Sequence, residues 1–523
     1  MSLTPRTGTA ESGSGGGHGT GRRRPGRRML RWSATVLAVA ILGTACAGYL
    51  YYEHLNGNLR SGERSSGDSK ARKADPNAAG QTPLNILLIG SDSRNSDANV
   101  ALGGGRDNRG NPPLGDVQML IHLSADRESA SVVSIPRDTR VQIPKCTDPK
   151  TGRQFPATNT IINESLARGG PGCTLATWQN LTGVYIDHWM MIDFAGVVRM
   201  ADAIGGVEVC VSQNVWDRPL PAQKGGSGLK LTAGRHKVKG VQALQWLRTR
   251  HAWGSDPLRA RAQHMYMNSM IRTLREQNVF TDTGRLMDLA EAATKSLQVS
   301  EEIGTVKKLY DLGMQLKTVP PDRITMTTLP TVQDTQNSEH LLPAGDGAEK
   351  IWQMIREDVP FDKKGPQSGA GKPAAPEKTS ADPAAPDAQI GVVVRNGTRS
   401  GAQAAVRGRA GTIAQALVDK GFVRAAKDSA PPVAESATVV RYPTADLEGD
   451  AQQVARALGI PLSAVKKSTD VSGVTVVVGA DWRTGTTYPV QAPPEAGDLP
   501  ADADALSGSD SAKCMDVYKP YRW

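Results

Sequence analysis

The feature that most limits how this chain folds is WSATVLAVAILGTACAGYLYY, Trp32–Tyr52, a run of 21 residues without a charge. As a helix rising about 1.5 Å per residue, it matches a bilayer core of roughly 30 Å. Arg22, Arg23, Arg24, Arg27, Arg28 and Arg31 stand just before it. Such clusters stay cytoplasmic, so the rest of the chain is expected outside the cell. A cleaved signal peptide is the competing reading, because Ala45-Cys46-Ala47 resembles a small-residue cleavage site; a lipoprotein site at Cys46 is weaker. The length of the run and its aromatic end, Tyr49, Tyr51 and Tyr52, favour an uncleaved anchor.

The net charge of +10 suggests nucleic acid until it is located. Residues 1–31 hold seven arginines against Glu11, a balance of +6, which leaves +4 for the remaining residues. With no zinc-finger or basic-zipper spacing either, no nucleic-acid partner is expected. Beyond the span lie Cys146, Cys173, Cys210 and Cys514. An even number in an oxidising compartment points to disulfides. Cys146–Cys173, which closes a short loop, is the expected pair, and Cys210 in VEVCV also reads as a plain buried thiol.

The chain divides by composition. Residues 1–31 are a basic cytoplasmic tail, 32–52 the transmembrane helix, and 53–82 a polar linker. Over 83–362, apolar runs NILLIG (85–90), VQMLIHLS (117–124) and SVVSIP (131–136) read as strands, the last two joined into a hairpin by ADRE. FAGVVRMADAIGG (194–206) has helical spacing and a glycine stop. Strands mixed with helices predict an α/β fold. Residues 363–388 form a Pro/Ala/Gly linker, whose GPQSGAGKP has the wrong spacing for a phosphate loop. Residues 389–483 repeat the α/β pattern on a smaller scale, and 484–523 read as a flexible tail.

Asp116 opens one hairpin strand and Arg137 follows the other, so antiparallel pairing brings them to one end. Asp92 and Arg94, in GSDSR, lie just past the first strand. In LRTRHAWGSDPLRARAQ (247–263), an extended WLRTR points Arg248 and Arg250 to one side. Asp256-Pro257 reads as a helix start with Asp256 as cap, and Arg259 and Gln263 share a helix face. Arg261 points elsewhere, toward solvent. Arginines at a helix N-terminus suit phosphate oxygens, and two aspartates beside phosphates suit Mg²⁺. The inventory describes a diphosphate site. His122 and His251 read as a strand-surface and a loop histidine.

GSDSR (90–94), SVVSIPRDT (131–139), INESLARGGPGC (162–173), DFAGVVRMADAIGGVEV (193–209) and the arginine-rich stretch resemble, in that order, motifs of the LytR–CpsA–Psr (LCP) family. VVVRNGT and VTVVVGADW resemble the LytR C-terminal domain of its actinobacterial members. The resemblance implies an α/β/α sandwich with a mixed central sheet and a hydrophobic channel for a lipid tail. It implies an enzyme that moves a glycopolymer from a polyprenyl-pyrophosphate carrier to the C6 hydroxyl of N-acetylmuramic acid in peptidoglycan. Asp92 and Asp116 would hold Mg²⁺; Arg137, Arg248, Arg250, Arg259 and Gln263 would grip the pyrophosphate with Arg94 nearby, and Asp256 would support an arginine. Asp92, Asp116 and Arg137 are thus the expected catalytic residues, Asp92 being the nearest candidate base. Two usual arginines of the family are replaced, by Leu114 and Ala262. WMMIDFAGVVRMADAI reads as core packing or as channel lining. The alternatives are a surface receptor that holds lipid-linked glycans without turnover and, less favoured, a transcriptional attenuator, which needs more than about 31 cytoplasmic residues.

Overall fold

The computed structural model describes residues 26–77, 79–103, 109–221, 223–276, 282–365, 382–399, 404–435, 437–489 and 494–523. Most of the expected basic tail and residues 366–381 of the expected linker, with most of its GPQSGAGKP, lie outside the described residues. The chain forms two compact units, Met1–Gly57 and Asn58–Trp523. The first contains one continuous helix, α1 (Gly26–Asn58). From Trp32 to Asn58 it is long and apolar enough to cross a membrane, by length and composition.

The second unit is built on an eight-stranded mixed sheet: β1 (Arg60–Gly62), β2 (Leu84–Ser91), β3 (Gly115–Leu123), β4 (Ala130–Ser134), β5 (His188–Ile192), β6 (Leu297–Ser300), β7 (Ile324–Thr328) and β8 (Leu506–Ser507). Its order is β1-β6-β5-β2-β3-β4-β7-β8. Side chains alternate across a strand. Leu87 and Ile89 of β2 join Leu120 and Val133 in a core with Trp178 of α3 (Ser165–Thr182) and Trp352 of α8 (Gly345–Arg356). Ile86 and Leu88 face the other way. There Met119, Val132 and Met326 meet Met267 and Ile271 of α6 (Asp256–Glu276), and Val299 meets Leu312 of α7 (Val306–Thr318). Helices thus cover both faces of an α/β/α sandwich.

A smaller sheet follows, ordered Arg424–Lys427, Gly391–Asn396, Val474–Val478, Val439–Tyr442, Val465–Lys467. Helices Arg409–Asp419 and Glu448–Leu458 pack on it around Val394, Leu417, Val454, Val476 and Trp482.

Both edges of the large sheet come from segments whose composition predicts flexibility. β1, inside the expected linker 53–82, pairs in parallel with β6. Beyond it, Ser66 Oγ donates to the Gly169 carbonyl at 2.7 Å, and Lys73 pairs with Asp187 at 2.6 Å. Gly172 permits that docking, since a Cβ there would lie 2.7 Å from the Ser66 nitrogen. β8, inside the expected tail 484–523, pairs antiparallel with β7. The tail is also tied to the sandwich by Cys210–Cys514, the second disulfide beside Cys146–Cys173. Polar composition hid these contacts because edge strands need backbone hydrogen bonds more than apolar side chains.

Candidate functional site

The hairpin register sets the site's centre. Met119 lies opposite Ser134 and Leu123 opposite Ala130, so Asp116 and Arg137 leave the sheet at the same end. Arg137 Nη1 donates to Asp116 Oδ1 at 2.9 Å. On its other side β3 carries a bulge: Gly90 pairs with Val117 and Ser91 with Gly115, and Asp116 is left between them. A bulge of this kind re-aims the extra side chain. Asp92 follows β2 directly, and its Oδ1 accepts the Leu114 backbone N–H at 2.7 Å. Burial, and then the neighbouring Asp116 carboxylate, hold Asp92 above the usual carboxyl range despite that hydrogen bond.

Two arginines are aimed by a short helix, α2 (Asp97–Gly103). Arg94 Nη1 donates to the Gly103 carbonyl at 2.7 Å, and Arg248 donates to the Leu102 and Gly103 carbonyls at 2.9 and 3.2 Å. A helix C-terminus offers such orphan carbonyls and favours cations. The Phe194 ring lies 4.7 Å from the Arg248 guanidinium and 5.9 Å from that of Arg94. Phe194 begins α4 (Phe194–Ala203).

The remaining basic groups come from the stretch 247–263. Extended WLRTR is not what forms: Arg248 is the last residue of α5 (Gly240–Arg248). Ala243, Leu244 and Trp246 are its buried residues, a helical spacing that overrides the alternation of arginines. Arg248 and Arg250 still reach the same cavity. The cap of α6 moves as well. Leu258 N–H donates to Ser255 Oγ at 3.4 Å and Arg259 N–H to the Ser255 carbonyl at 3.1 Å, so Ser255 caps the helix and Asp256 begins it. Freed from that task, the Asp256 carboxylate lies 3.5 Å from both Arg250 and Arg259. Burial raises its pKa, but Arg259 and Arg250 outweigh burial and hold it below the usual value. Arg259 is lowered, by burial first; it still stays charged, as arginine does in proteins.

Asp138 is a site residue that the motif reading passed over, although it follows Arg137 directly. It lies 3.4 Å from Arg137 Nε and shares a hydrogen bond with Asp256. Burial, and then Asp256, raise Asp138 while Asp256 is lowered. Of the two, Asp138 keeps its proton to higher pH. Asp138 and Asp256 together brace Arg137, Arg250 and Arg259 from behind.

All these side chains except Asp138 and Asp256 open on one cavity of about 580 Å³. Its charged end holds Asp92, Arg94, Asp116, Arg137, Arg248, Arg250, Arg259 and Gln263. Its apolar end is lined by Leu88, Met190, Met200, Leu247, Met267 and Met270, among others. The run WMMIDFAGVVRMADAI therefore supplies lining as well as core. Methionine is unbranched and adapts to irregular apolar ligands. Gln263 Nε2 donates to the Leu247 carbonyl at 3.1 Å, tying α6 to the end of α5.

Other expectations change. Arg261 is no free surface charge, since it pairs with Asp504 of the tail. His122 is buried, not on a strand surface, between Asn85 at 2.8 Å and Asp358 at 3.0 Å. His251 lies in a short turn and stacks on Tyr521. Among the described residues, no group of three or more His, Cys, Asp and Glu side chains has the geometry to hold a metal.

Comparison with known proteins bears on the same region. Residues 49–357 match the model of the LytR_cpsA_psr family, and residues 389–482 that of the LytR cell envelope-related transcriptional attenuator. The cell wall biosynthesis protein LcpA of Corynebacterium glutamicum is 29% identical over 333 residues, 59% of this chain and 61% of that protein. The chain thus spans about three fifths of that relative's length. A polyisoprenyl-teichoic acid–peptidoglycan teichoic acid transferase, TagU of Bacillus anthracis, is 25% identical over 54% of this chain and 84% of its own. Of solved structures, a LytR-Csp2A-Psr enzyme from Actinomyces oris aligns with a TM-score of 0.41 at 18% identity, over 57% of this chain and 96% of its own. With its first family match covering more than half of its residues, this chain is a member of the LytR–CpsA–Psr family.

Proposed function

We propose that the chain is a membrane-anchored phosphotransferase, with its N-terminus cytoplasmic and its sandwich outside the cell. It moves a glycopolymer from a polyprenyl-pyrophosphate carrier to peptidoglycan, at the C6 hydroxyl of N-acetylmuramic acid. One observation carries the reading: a cavity that joins a fan of arginines to an apolar chamber. That is the shape of an amphiphile with a diphosphate head and a hydrocarbon tail. The names of the relatives, a cell wall biosynthesis protein and a teichoic acid transferase, agree with it.

The residues present fit Mg²⁺. Asp92 and Asp116 face one cavity, close enough for the Asp116 charge to disfavour that of Asp92. Two carboxylates with no third ligand suit an ion that takes its other oxygens from phosphate and water. Bound there, the ion would neutralise charge on the diphosphate. The chain's own residues do the rest. Arg137, Arg250 and Arg259 hold the phosphate oxygens and stabilise charge as the acceptor hydroxyl attacks the phosphorus attached to the sugar. Polyprenyl phosphate leaves, and its tail stays in the apolar chamber. Asp92, which faces the cavity, is the group assigned to accept the hydroxyl proton. With water in place of the sugar hydroxyl, the same attack gives pyrophosphate hydrolysis as a side activity.

The test is release of polyprenyl phosphate by the purified full chain, given a lipid-pyrophosphate-linked oligosaccharide, peptidoglycan fragments and Mg²⁺. Arg137→Ala and Asp116→Ala are each expected to lower turnover by about 10²–10³ with the fold intact. Near-normal turnover in either variant refutes the assignment.

A further inference from the structure

The surface carries a second ordered array. Trp216 lies opposite Lys230 in the short hairpin Val215–Trp216/Lys230–Leu231. Lys230 Nζ is 4.6 Å from the Trp216 ring centroid and 4.5 Å from that of Trp523, and the Arg218 guanidinium is 4.8 Å from Trp216. Arg218, Trp216, Lys230 and Trp523 thus alternate cation and indole in a ridge. Trp216 is 38% and Trp523 50% exposed. Neither Arg218 nor Lys230 has a carboxylate partner among the described residues.

The ridge is fixed in place, and the segment that supplies Trp523 also touches the turn after Arg250. Trp523 Nε1 donates to the Val215 carbonyl at 3.0 Å. Tyr518, 54% exposed, donates its N–H to the Ala252 carbonyl at 2.8 Å and lies against Gly254, in the turn between Arg250 and Asp256. Residues 494–523, which supply Tyr518 and Trp523, fall outside both family matches. Of the four ridge residues, Trp523 thus lies outside the family matches and the other three lie within the first.

We propose that this ridge is a subsite for an acidic glycan, which binds next to the arginine-lined cavity and selects the saccharide presented to it. The inference rests on the phosphotransferase reading of that cavity. Cations lie over the rings, so the ridge offers charged heads beside partly exposed indoles. Guanidinium and ammonium groups with no carboxylate beside them recognise carboxylate or phosphate. Exposed indole surface accepts the C–H groups of sugar rings, which are drawn to the negative face of an aromatic ring. A ligand with acid groups spaced along a polyol fits both.

The experiment measures binding of the full chain, held in phosphatidylcholine nanodiscs, to hyaluronate, poly(glycerol phosphate) teichoic acid and neutral dextran. At least one acidic glycan should bind tenfold or more tightly than dextran. Lys230→Gln and Trp523→Ala, both at exposed positions, should each remove most of that preference without a change in melting temperature. Farnesyl pyrophosphate uptake should stay at the unsubstituted level in both variants and fall in Arg137→Ala. Equal affinity for dextran, or unchanged acidic-glycan affinity in both variants, overturns the proposal. So does tryptophan quenching by brominated lipid that disappears in Trp523→Ala, which would assign the ridge to the bilayer surface. Loss of farnesyl pyrophosphate uptake in none of the proteins, or its absence in the unsubstituted chain, counts against the cavity reading alone.

Discussion

The two largest sheets of Asn58–Trp523 use arginine in opposite ways. In the smaller module Arg409 is buried and fully engaged: it donates to the carbonyls of Trp482, Gly485 and Thr484 at 2.8, 2.7 and 3.0 Å. Nearby, the Asp481 carboxylate accepts from Thr438 and from the Tyr488 hydroxyl. Those charges close loops and are not among the residues that line the arginine-bearing cavity. In the sandwich, Arg248, Arg250 and Arg259 are held by carbonyls or by Asp256 and still line a cavity. Arginine content does not separate a scaffold from a binding site; what the guanidinium still faces once its partners are counted does.

Substitution of one arginine from each region tests that contrast. Arg259→Met should cost about 10²–10³ in transfer, the scale of one lost charge-stabilising donor, while thermal stability changes little. Unfolding of this variant would show that Arg259 is scaffold after all. The next effect is on stability and comes from the same helix. His264, one residue beyond Gln263, is fully buried, and its Nε2 lies 2.5 Å from Ser134 Oγ. Burial, with a small contribution from Arg261, lowers its pKa from 6.5 to about 4. The unfolded chain therefore takes up this proton first on acidification. Stability from the neutral ring is complete above about pH 6.5 and is lost as pH falls toward 4, by up to about 3 kcal/mol. Urea midpoints at pH 7, 5.5 and 4 measure the loss, and His264→Gln should flatten it. A slope that persists in that variant would place the titration elsewhere. Arg409→Met should be milder, about 2 kcal/mol from the small module for the lost carbonyl bonds, with transfer unchanged. A drop in transfer with the module still folded would erase the distinction between the two sheets.

Sequence and structure agree where the chain repeats a strong local pattern. NILLIG, VQMLIHLS and SVVSIP are strands, and the hairpin turn alone placed Asp116 beside Arg137. Arg259 and Gln263 share a helix face because four residues make about one turn. Agreement ends where side-chain pattern and backbone need diverge. The arginine alternation in WLRTR imitates a strand, yet the apolar residues before it follow helical spacing. Linker and tail look solvated, yet they carry the two edge strands. Asp138 was invisible for another reason: its role depends on a hydrogen bond to Asp256, 118 positions away, and no local spacing encodes that.

The smallest effect concerns the two places where arginine is usual in the family. Ala262 is fully buried, and its carbonyl accepts Trp246 Nε1 at 3.0 Å, so that position has become core. Leu114 differs. It is half-buried beside the cavity's acidic pair, and it serves Asp92 through its backbone alone, its N–H donating to the carboxylate and its carbonyl accepting the Asp92 N–H. Leu114→Arg would keep that hydrogen bond and add a guanidinium near the diphosphate. A partly exposed charge pair of this kind is worth about 1 kcal/mol, so farnesyl pyrophosphate should bind about fivefold more tightly at low salt, and the gain should shrink as salt screens it. Weaker binding would mean that the guanidinium pairs with Asp92 or Asp116 in place of the ligand. The site would then already hold all the positive charge its two carboxylates tolerate.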